Sequence, residues 1–134
     1  MLVRDFMTSM IVTAEFETPL VEAARLMAAE DIGSLMVTRG DVLVGMVTRR
    51  DIIAAHLLSE DIYMSLSVED IMTSPVISIS PEADLGQAIS VMNQTNVKCL
   101  PVMEGDSVIG VVSASDVIRV LATVKLIADG APDE

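Results

Sequence analysis

The sequence has few aromatic residues and few basic ones. Its 134 residues include two Phe, one Tyr and no Trp, although 51% of the chain is apolar. The core must therefore be aliphatic, and a chain this rich in apolar residues is not intrinsically disordered. Scarce aromatics argue against binding of single-stranded nucleic acid, which stacks its bases on aromatic rings. The net charge of −12 argues against nucleic acid in general and against acidic membrane surfaces.

Cysteine and long apolar segments are also scarce. Cys99 is the single cysteine, which excludes an intrachain disulfide and a thiolate zinc cluster, and its apolar neighbours in the sequence indicate a buried structural thiol. Arg4 and Asp5 interrupt the N-terminus, so no secretory signal is expected. The longest uncharged stretch, residues 85–97, contains six polar side chains and is too short to span a membrane. We therefore predict a soluble, cytoplasmic protein.

Familiar catalytic patterns are missing as well. His56 is the only histidine, so it has no second histidine for a metal site and no serine partner in a known arrangement. We expect this side chain on a helix surface or at an interface. Neither common Gly-rich phosphate loop occurs, and no nucleophile is paired with a base. The sequence predicts neither an enzyme nor a metal site.

What the sequence does contain is an internal duplication. Shifted by 65 residues, it matches itself without gaps at 16 of the 54 positions from 4 to 57. The matches include Asp-φ-Met-Thr-Ser at residues 5–9 and 70–74, where φ is an apolar residue. They also include Gly-φ-φ-[Ser/Thr]-x-x-Asp at residues 45–51 and 110–116. Chance would give only a few identities, so the chain consists of two copies of one unit.

Both copies have the same predicted order of elements. A strand at 11–13 or 76–80 precedes a helix whose apolar residues recur at 3.6 spacing from Leu20 or Leu85. A strand at 34–38 or 98–103, a Gly-Asp turn and a return strand at 42–47 or 108–112 follow, and Pro101 indicates an edge or a bulge. A last helix begins near Thr48 or Ser113. The predicted fold class is α/β (α+β), with two tandem β-α-β-β-α repeats packed sheet to sheet with pseudo-two-fold symmetry.

The duplication also sets the predicted domain boundaries. Repeat 1 covers residues 1–58, a linker covers 59–68, repeat 2 with its C-terminal helix covers 69–128, and a tail covers 129–134. The last helix carries an apolar stripe over Val117, Leu121, Val124 and Ile127, longer than its counterpart in repeat 1. This stripe either forms a partner surface, with another copy of the chain as the expected partner, or folds back on the chain's own core.

The motif at the end of each copy has two interpretations. Thr48 with Asp51, and Ser113 with Asp116, have the spacing of a capping box, in which a hydroxyl and an acid satisfy the first N–H groups of a helix. The same residues also suit a nucleotide, because a helix N-terminus attracts phosphate and an Asp accepts both hydroxyls of a ribose. Capping boxes prefer Glu or Gln, and we expect Asp to reach back less well. This preference favours the nucleotide interpretation.

The duplicated motifs resemble those of a CBS domain pair, also called a Bateman module. The resemblance covers residues 1–125, and the second copy, with Leu100-Pro101-Val102 before its hairpin, fits better than the first, where Met36 stands in place of the common Pro. The resemblance implies an adenosine-containing ligand in clefts between the repeats: AMP, ADP or ATP, S-adenosylmethionine or NAD, with optional Mg²⁺ beside ATP. It also implies dimers of four repeats, so that we expect a homodimer.

The resemblance implies ligand-binding roles in both copies. The Asp of each copy is expected to bind the ribose, and its neighbours are expected to bind phosphate. The residues expected at ribose or phosphate are Thr48, Arg50, Asp51, Ser113, Ser115 and Asp116. The residues expected to line the adenine or to reach phosphate are Val12, Ile32, Gly33, Arg49, Ile77, Val97 and Lys98. Lys98 has an equal alternative as a solvated strand end. Because arginines occur at 49 and 50, the first copy is expected to prefer more phosphates than the second.

Three functional hypotheses follow. Most CBS pairs regulate an attached enzyme, channel or transporter, and this chain has no room for such a domain, so a sensor would act on a protein effector in trans. The first hypothesis is therefore a regulatory module that senses adenine nucleotides. The second is an interaction scaffold with non-functional ligand sites, and the third is a small enzyme. Two complete hydroxyl–Asp sites favour the first over the second, and the missing catalytic pairs disfavour the third.

Overall fold

The computed structural model describes residues 1–130, and the predicted tail lies outside the described residues from Ala131 on. The chain forms two compact units. The first unit is Val12–Val76, and the second unit combines Met1–Ile11 with the chain from Ile77 on. We call residues 1–11 and 66–76 the leading segments of repeats 1 and 2. Each unit therefore holds the body of one repeat and the leading segment of the other. The leading segment of repeat 1 contains α1 (Val3–Phe6).

The first unit is built on a three-stranded sheet. β1 (Thr13–Glu15) pairs in parallel with β2 (Ser34–Arg39), which pairs antiparallel with β3 (Val42–Thr48). α2 (Leu20–Glu30) connects β1 to β2, and three short helices follow β3: α3 (Arg49–Ala55), α4 (Glu60–Ser65) and α5 (Val68–Ile71). The core of this unit is mainly aliphatic, as the composition predicts; its fully buried members include Leu20, Ala23, Leu35, Val37, Val47 and Val68.

The second unit repeats this plan with a smaller sheet. α6 (Leu85–Thr95) precedes β4 (Cys99–Glu104) and β5 (Ser107–Ser113), which pair antiparallel, and α7 (Ala114–Ala128) follows. Instead of a third strand, Ile79 forms an isolated parallel bridge with Val102. The core has the same aliphatic character; its members are Val3, Ile79, Ala88, Leu100, Val102, Val112 and Val117.

The two hairpins are built in the same way. Gly40 and Gly105 occupy the turns with φ of 65° and 62°, a left-handed conformation that glycine adopts without strain. In both hairpins the register shifts by one residue, after Val37 in one and after Val102 in the other. The α+β class and the predicted hairpins are thus confirmed. Pro101 lies in β4 and pairs in register with Val111, one residue before this irregularity, so the bulge does not fall on the proline itself. The packing of one repeat on the other stays a prediction.

Three predicted elements differ from the structure. The strand expected at 11–13 lies at 13–15, and residues 76–80 form only the bridge at Ile79. The linker expected at 59–68 contains a helix, because Ser59 caps α4 by accepting the Ile62 N–H at 3.3 Å and Tyr63 is buried in the first core. The buried Tyr63 gives this segment a contact with the core, which a linker would lack.

Cys99, His56 and the apolar stripe of α7, all singled out in the sequence, have clear positions in the structure. Cys99 is half-buried rather than buried. His56 is exposed at the end of α3, as expected, and its ring stacks on that of Tyr63 with centroids 4.2 Å apart. In α7, Val117 is buried, whereas Leu121 and Ile127 are 45% and 64% exposed. The alternative in which the stripe folds back on the core is therefore wrong beyond Val117.

Candidate functional site

The candidate site of the first unit lies where β3 passes into α3. Thr48 is the N-cap of this helix, and its Oγ1 accepts the Asp51 N–H at 3.3 Å. In return, Asp51 Oδ2 accepts the Thr48 N–H at 2.8 Å and the Thr48 hydroxyl at 3.0 Å. Within residues 1–130, the described hydrogen bonds of the Asp51 carboxylate all use Oδ2. Its other oxygen remains available to a ligand.

The candidate site of the second unit has the same geometry with one addition. Ser113 Oγ accepts the Asp116 N–H at 3.1 Å, and Asp116 Oδ2 accepts the Ser113 N–H at 2.9 Å. Arg119 lies one turn further along α7 and donates to Asp116 Oδ1 at 3.2 Å. Asp116 is only 5% exposed. Both of its carboxylate oxygens are therefore engaged within α7 and its cap.

Both motifs are therefore capping boxes. The expectation that Asp reaches back poorly is wrong, because Asp51 and Asp116 both accept the backbone N–H of their cap residue. The short side chain suffices since the extended backbone of the cap residue, with φ near −108° and −106°, turns its N–H toward the helix. Capping alone thus accounts for the spacing of the motif. Assignment of the two carboxylates to a ribose stays a prediction.

Backbone hydrogen bonds place the predicted lining residues beside each cap. The Arg49 N–H donates to the Gly33 carbonyl at 3.0 Å, and the Ala114 N–H donates to the Lys98 carbonyl at 2.8 Å. Ser34 pairs with Thr48 across one hairpin, and Cys99 pairs with Ser113 across the other. Gly33 and Lys98 therefore adjoin the start of the helix in their own units. Their role in lining the adenine or reaching phosphate stays a prediction.

Of the remaining apolar lining residues, Ile32 and Val97 occupy equivalent places in the two units. Ile32 and Val97 are half-buried. Their N–H groups donate to the carbonyls of Met27 and Met92, in the last turns of the preceding helices. The Val12 carbonyl accepts the Met36 N–H at 3.3 Å, so this residue lies at the start of the sheet. Ile77 is 38% exposed. Each unit by itself thus contains one predicted set of site residues.

Comparison with known proteins decides the family. The CBS domain matches this chain twice, at residues 3–57 and at 68–123. The chain belongs to the CBS domain family. CBS domain-containing protein YhcV of Bacillus subtilis is 30% identical over 114 residues, which cover 85% of this chain and 81% of that protein. Inosine-5'-monophosphate dehydrogenase of Thermoplasma acidophilum is 31% identical over 109 residues; these cover 81% of this chain but only 21% of that enzyme's length.

A solved CBS pair supports the same assignment. The CBS domain pair of protein MJ0100, in complex with 5'-methylthioadenosine and S-adenosyl-L-methionine, matches with a TM-score of 0.82 and 26% identity. The match covers 92% of this chain and 97% of that chain. The resemblance inferred from the duplicated motifs is therefore confirmed, and so is the tandem CBS fold.

Positive charge is distributed differently around the two candidate sites. In the first, Arg49 and Arg50 are exposed, and Arg49 forms an ion pair with Asp31 at 3.5 Å. In the second, Ser115 and Lys98 are exposed, and Arg119 covers Asp116. Sequence reasoning missed Arg119 and Asp31. The spacing of Arg119, three residues after Asp116 on one helix, is a signal that could have revealed this pair.

An open groove of about 420 Å³ borders the candidate site of the first unit. It runs between α2 and α3 and is mostly apolar, with Arg49 and Asp31 at one side; the other lining residues are Ala24, Met27, Ala28, Ile32, Ile52 and Ile53. Within residues 1–130, no three His, Cys, Asp or Glu side chains are grouped to hold a metal ion. No helix among these residues is long and apolar enough to cross a membrane.

Proposed function

We propose that this protein is a regulatory module that binds an adenosine-containing ligand of the AMP, ADP and ATP class and signals to a protein effector in trans. The observation that carries the proposal is the duplicated cap, in which a hydroxyl, a carboxylate and a helix N-terminus stand together in each unit. The MJ0100 pair, a similar CBS protein, was solved with two adenosine-containing compounds. That precedent supports this ligand class.

The chemistry of the proposed site follows from the cap. At the starts of α3 and α7, the N–H groups of Arg49, Asp51, Ala114 and Asp116 already have partners. The Arg50 and Ser115 N–H groups would therefore be the ones that donate to a phosphate oxygen. A ribose hydroxyl would donate to Asp51 Oδ1, while Oδ2 keeps its two hydrogen bonds to Thr48. Ligand and cap then share one carboxylate, so binding need not dismantle the start of the helix.

The two sites should differ in preference. Arg49 and Arg50 give the first site two guanidinium groups, which suit a polyphosphate in an otherwise acidic chain. In the second site a ribose must compete with Arg119 for Asp116 Oδ1. We therefore expect ATP to favour the first site, where Mg²⁺ would accompany it, and a ligand with less phosphate to favour the second.

Calorimetric titration of nucleotide-stripped protein tests the proposal. The panel is AMP, ADP, ATP with and without Mg²⁺, S-adenosylmethionine and NAD. The Asp51→Asn/Asp116→Asn variant keeps an oxygen for the cap but loses the carboxylate, so it should bind at least tenfold more weakly. Its matched control, Asp41→Asn/Asp106→Asn, makes the same charge change in the two hairpin turns and should bind as the native protein does. Equal binding by both variants would refute the ribose assignment.

An interaction scaffold with non-functional ligand sites is the second candidate. It is favoured by the capping boxes, which explain the motif without a ligand, and by the exposed stripe of α7, which suits a second copy of the chain. If no nucleotide of the panel bound, this candidate would be selected. Sedimentation equilibrium of the native chain and of Leu121→Lys would then test the homodimer. A cytoplasmic location and the absence of catalysis stay predictions.

A further inference from the structure

Each leading segment is held in its unit by an ion pair, and the two ion pairs have opposite polarity. In the second unit, Arg4 of the leading segment lies 3.3 Å from Glu104 at the end of β4. In the first unit, Glu69 of the leading segment lies 2.8 Å from Arg39 at the end of β2. The cation is on the segment in one unit and on the body in the other.

The four residues occupy equivalent positions in the duplication. An offset of 65 residues places Arg4 on Glu69 and Arg39 on Glu104, so both positions carry reversed charges. The surrounding backbone contacts are the same: the Arg4 N–H donates to the Pro81 carbonyl at 3.0 Å, and the Glu69 N–H donates to the Phe16 carbonyl at 3.2 Å. The geometry of docking is thus shared, and the charge distinguishes one copy from the other.

The apolar contacts of the two segments are nearly interchangeable. Val3 and Val68 are both fully buried in the cores of their units. Thr8 exchanges backbone hydrogen bonds with Val111, and Thr73 exchanges the same pair with Met46. These contacts by themselves would allow either segment to dock on either body. The charged pairs, in contrast, differ between the two copies and can distinguish one body from the other.

We propose that the reversed pairs Arg4–Glu104 and Glu69–Arg39 are a recognition code that directs each leading segment onto the body of the other repeat. If a segment docked on its own repeat, Arg4 would face Arg39 beside Glu17, the counterpart of its other partner Glu82. Glu69 would face both Glu104 and Glu82. Specificity then comes from repulsion in the wrong arrangement as well as from attraction in the right one.

Neighbouring groups hold both cations in place for this role. Arg4 Nε also donates to Glu82 at 3.0 Å, and the hydrogen bond to Glu82, followed by that to Glu104, raises the pKa of the Arg4 guanidinium. The guanidinium of Arg39 lies 3.9 Å from the centre of the Phe16 ring. Since all four charged groups are substantially exposed, the attraction of each pair is small and sensitive to salt.

Charge reversal at constant net charge tests the code. Arg4→Glu/Glu69→Arg reverses the segments, Arg39→Glu/Glu104→Arg reverses the bodies, and the quadruple variant reverses both. All three keep the net charge of −12, so they differ in the arrangement of charge alone. Each double variant should melt roughly 3–6 °C below the native protein at low salt. The quadruple variant should recover at least half of that loss, and the differences should vanish in 1 M NaCl.

NMR of methyl-labelled methionine reports docking directly. The native chain should show contacts from Met7 to Gly110 and from Met72 to Gly45, whose atoms are adjacent in the structure. These contacts should weaken in both double variants and return in the quadruple variant. If the double variants fail to fold, Arg4→Gln/Glu69→Gln replaces them as the milder change. The proposal would be overturned if the double variants kept the native melting temperature and the native contacts. It would also be overturned if the quadruple variant lost at least as much stability as the two double variants lose together.

Discussion

The side chain of Met72 lies directly on Gly45, so that a Cβ at this glycine would overlap Sδ and come within 2.7 Å of Cγ. Met7 lies on Gly110 in the same way, with Sδ 2.7 Å from the corresponding point. In each unit, the two repeated motifs therefore contact each other. The Met of Asp-φ-Met-Thr-Ser, in the leading segment of one repeat, packs on the Gly of Gly-φ-φ-[Ser/Thr]-x-x-Asp in the body of the other.

Substitution of these glycines should weaken docking of the leading segments. In Gly110→Ala the new methyl group would meet the Thr8 carbonyl oxygen at 2.8 Å, which is backbone and cannot turn away. In Gly45→Ala its three nearest neighbours would be atoms of the Met72 side chain, which can partly rotate. We expect losses of about 1–3 kcal/mol in unfolding free energy, larger for Gly110→Ala. Urea denaturation measures both.

Gly86→Ala is the control for this pair. Gly86 lies in the first turn of α6, and its Cβ would have only an ordinary contact, 3.4 Å from Asp84 Oδ1. Alanine is the better helix former, so this change should leave stability unchanged or raise it by up to about 1 kcal/mol. If Gly110→Ala proved as harmless as Gly86→Ala, the packing role of the motif glycine would be wrong.

The capping boxes should contribute to stability whether or not a ligand binds. Ser113→Ala removes the hydroxyl that accepts the Asp116 N–H at the start of α7, and it should cost about 1 kcal/mol. Ser107→Ala, at the exposed start of β5, serves as the control and should cost much less. Thermal denaturation without nucleotide measures the difference. Equal stability of the two variants would contradict a structural role for the cap.

Glu15 should give the protein a pH-dependent component of stability. Its carboxylate accepts the Thr38 hydroxyl at 2.6 Å and the Gly40 N–H at 3.0 Å, and these bonds, helped by the charge of Arg39, lower its pKa below the ordinary value of about 4.5. A lowered folded-state pKa stabilises the fold above the ordinary value, and this stabilisation is lost as pH falls through the folded value.

Glu15→Gln should therefore be less stable than the native chain at neutral pH, and the difference should close as pH falls below about 4.5. Denaturation midpoints between pH 3 and 7 provide the measurement. Glu17→Gln makes the same charge change two residues away and should not reproduce the pattern. A Glu15→Gln deficit that stays constant down to pH 3 would contradict the assignment.

Arg119 should compete with a nucleoside at the second site if the proposed function holds. Arg119→Ala frees Asp116 Oδ1, so binding of uncharged 5'-methylthioadenosine should tighten by roughly three- to tenfold. Arg25→Ala, which removes one exposed arginine from α2, controls for the change in net charge. Calorimetry measures both affinities, and weaker binding by Arg119→Ala would assign this side chain to the ligand instead.

Much of the local structure could be predicted because local patterns determine it. The Gly-Asp dipeptides at 40 and 105 specify the hairpin turns, and the hydroxyl-to-Asp spacing specifies where α3 and α7 begin. The helix at Glu60–Ser65 escaped prediction because its single buried side chain, Tyr63, forms no periodic apolar stripe. Arg119 was missed because its role depends on the carboxylate beside it rather than on the repeat.

The sequence by itself determined the duplication, the aliphatic core and most elements of each repeat, and it suggested the residues of both candidate sites. All of these depend on contacts within a repeat or on the chemistry of single residues. Only the tertiary structure decided which body each leading segment joins, because the buried residues of the two segments are alike and docking is a choice between distant parts of the chain. It also decided that the Asp of each motif caps a helix, since only the three-dimensional structure fixes the distance between the carboxylate and the N–H of the cap residue.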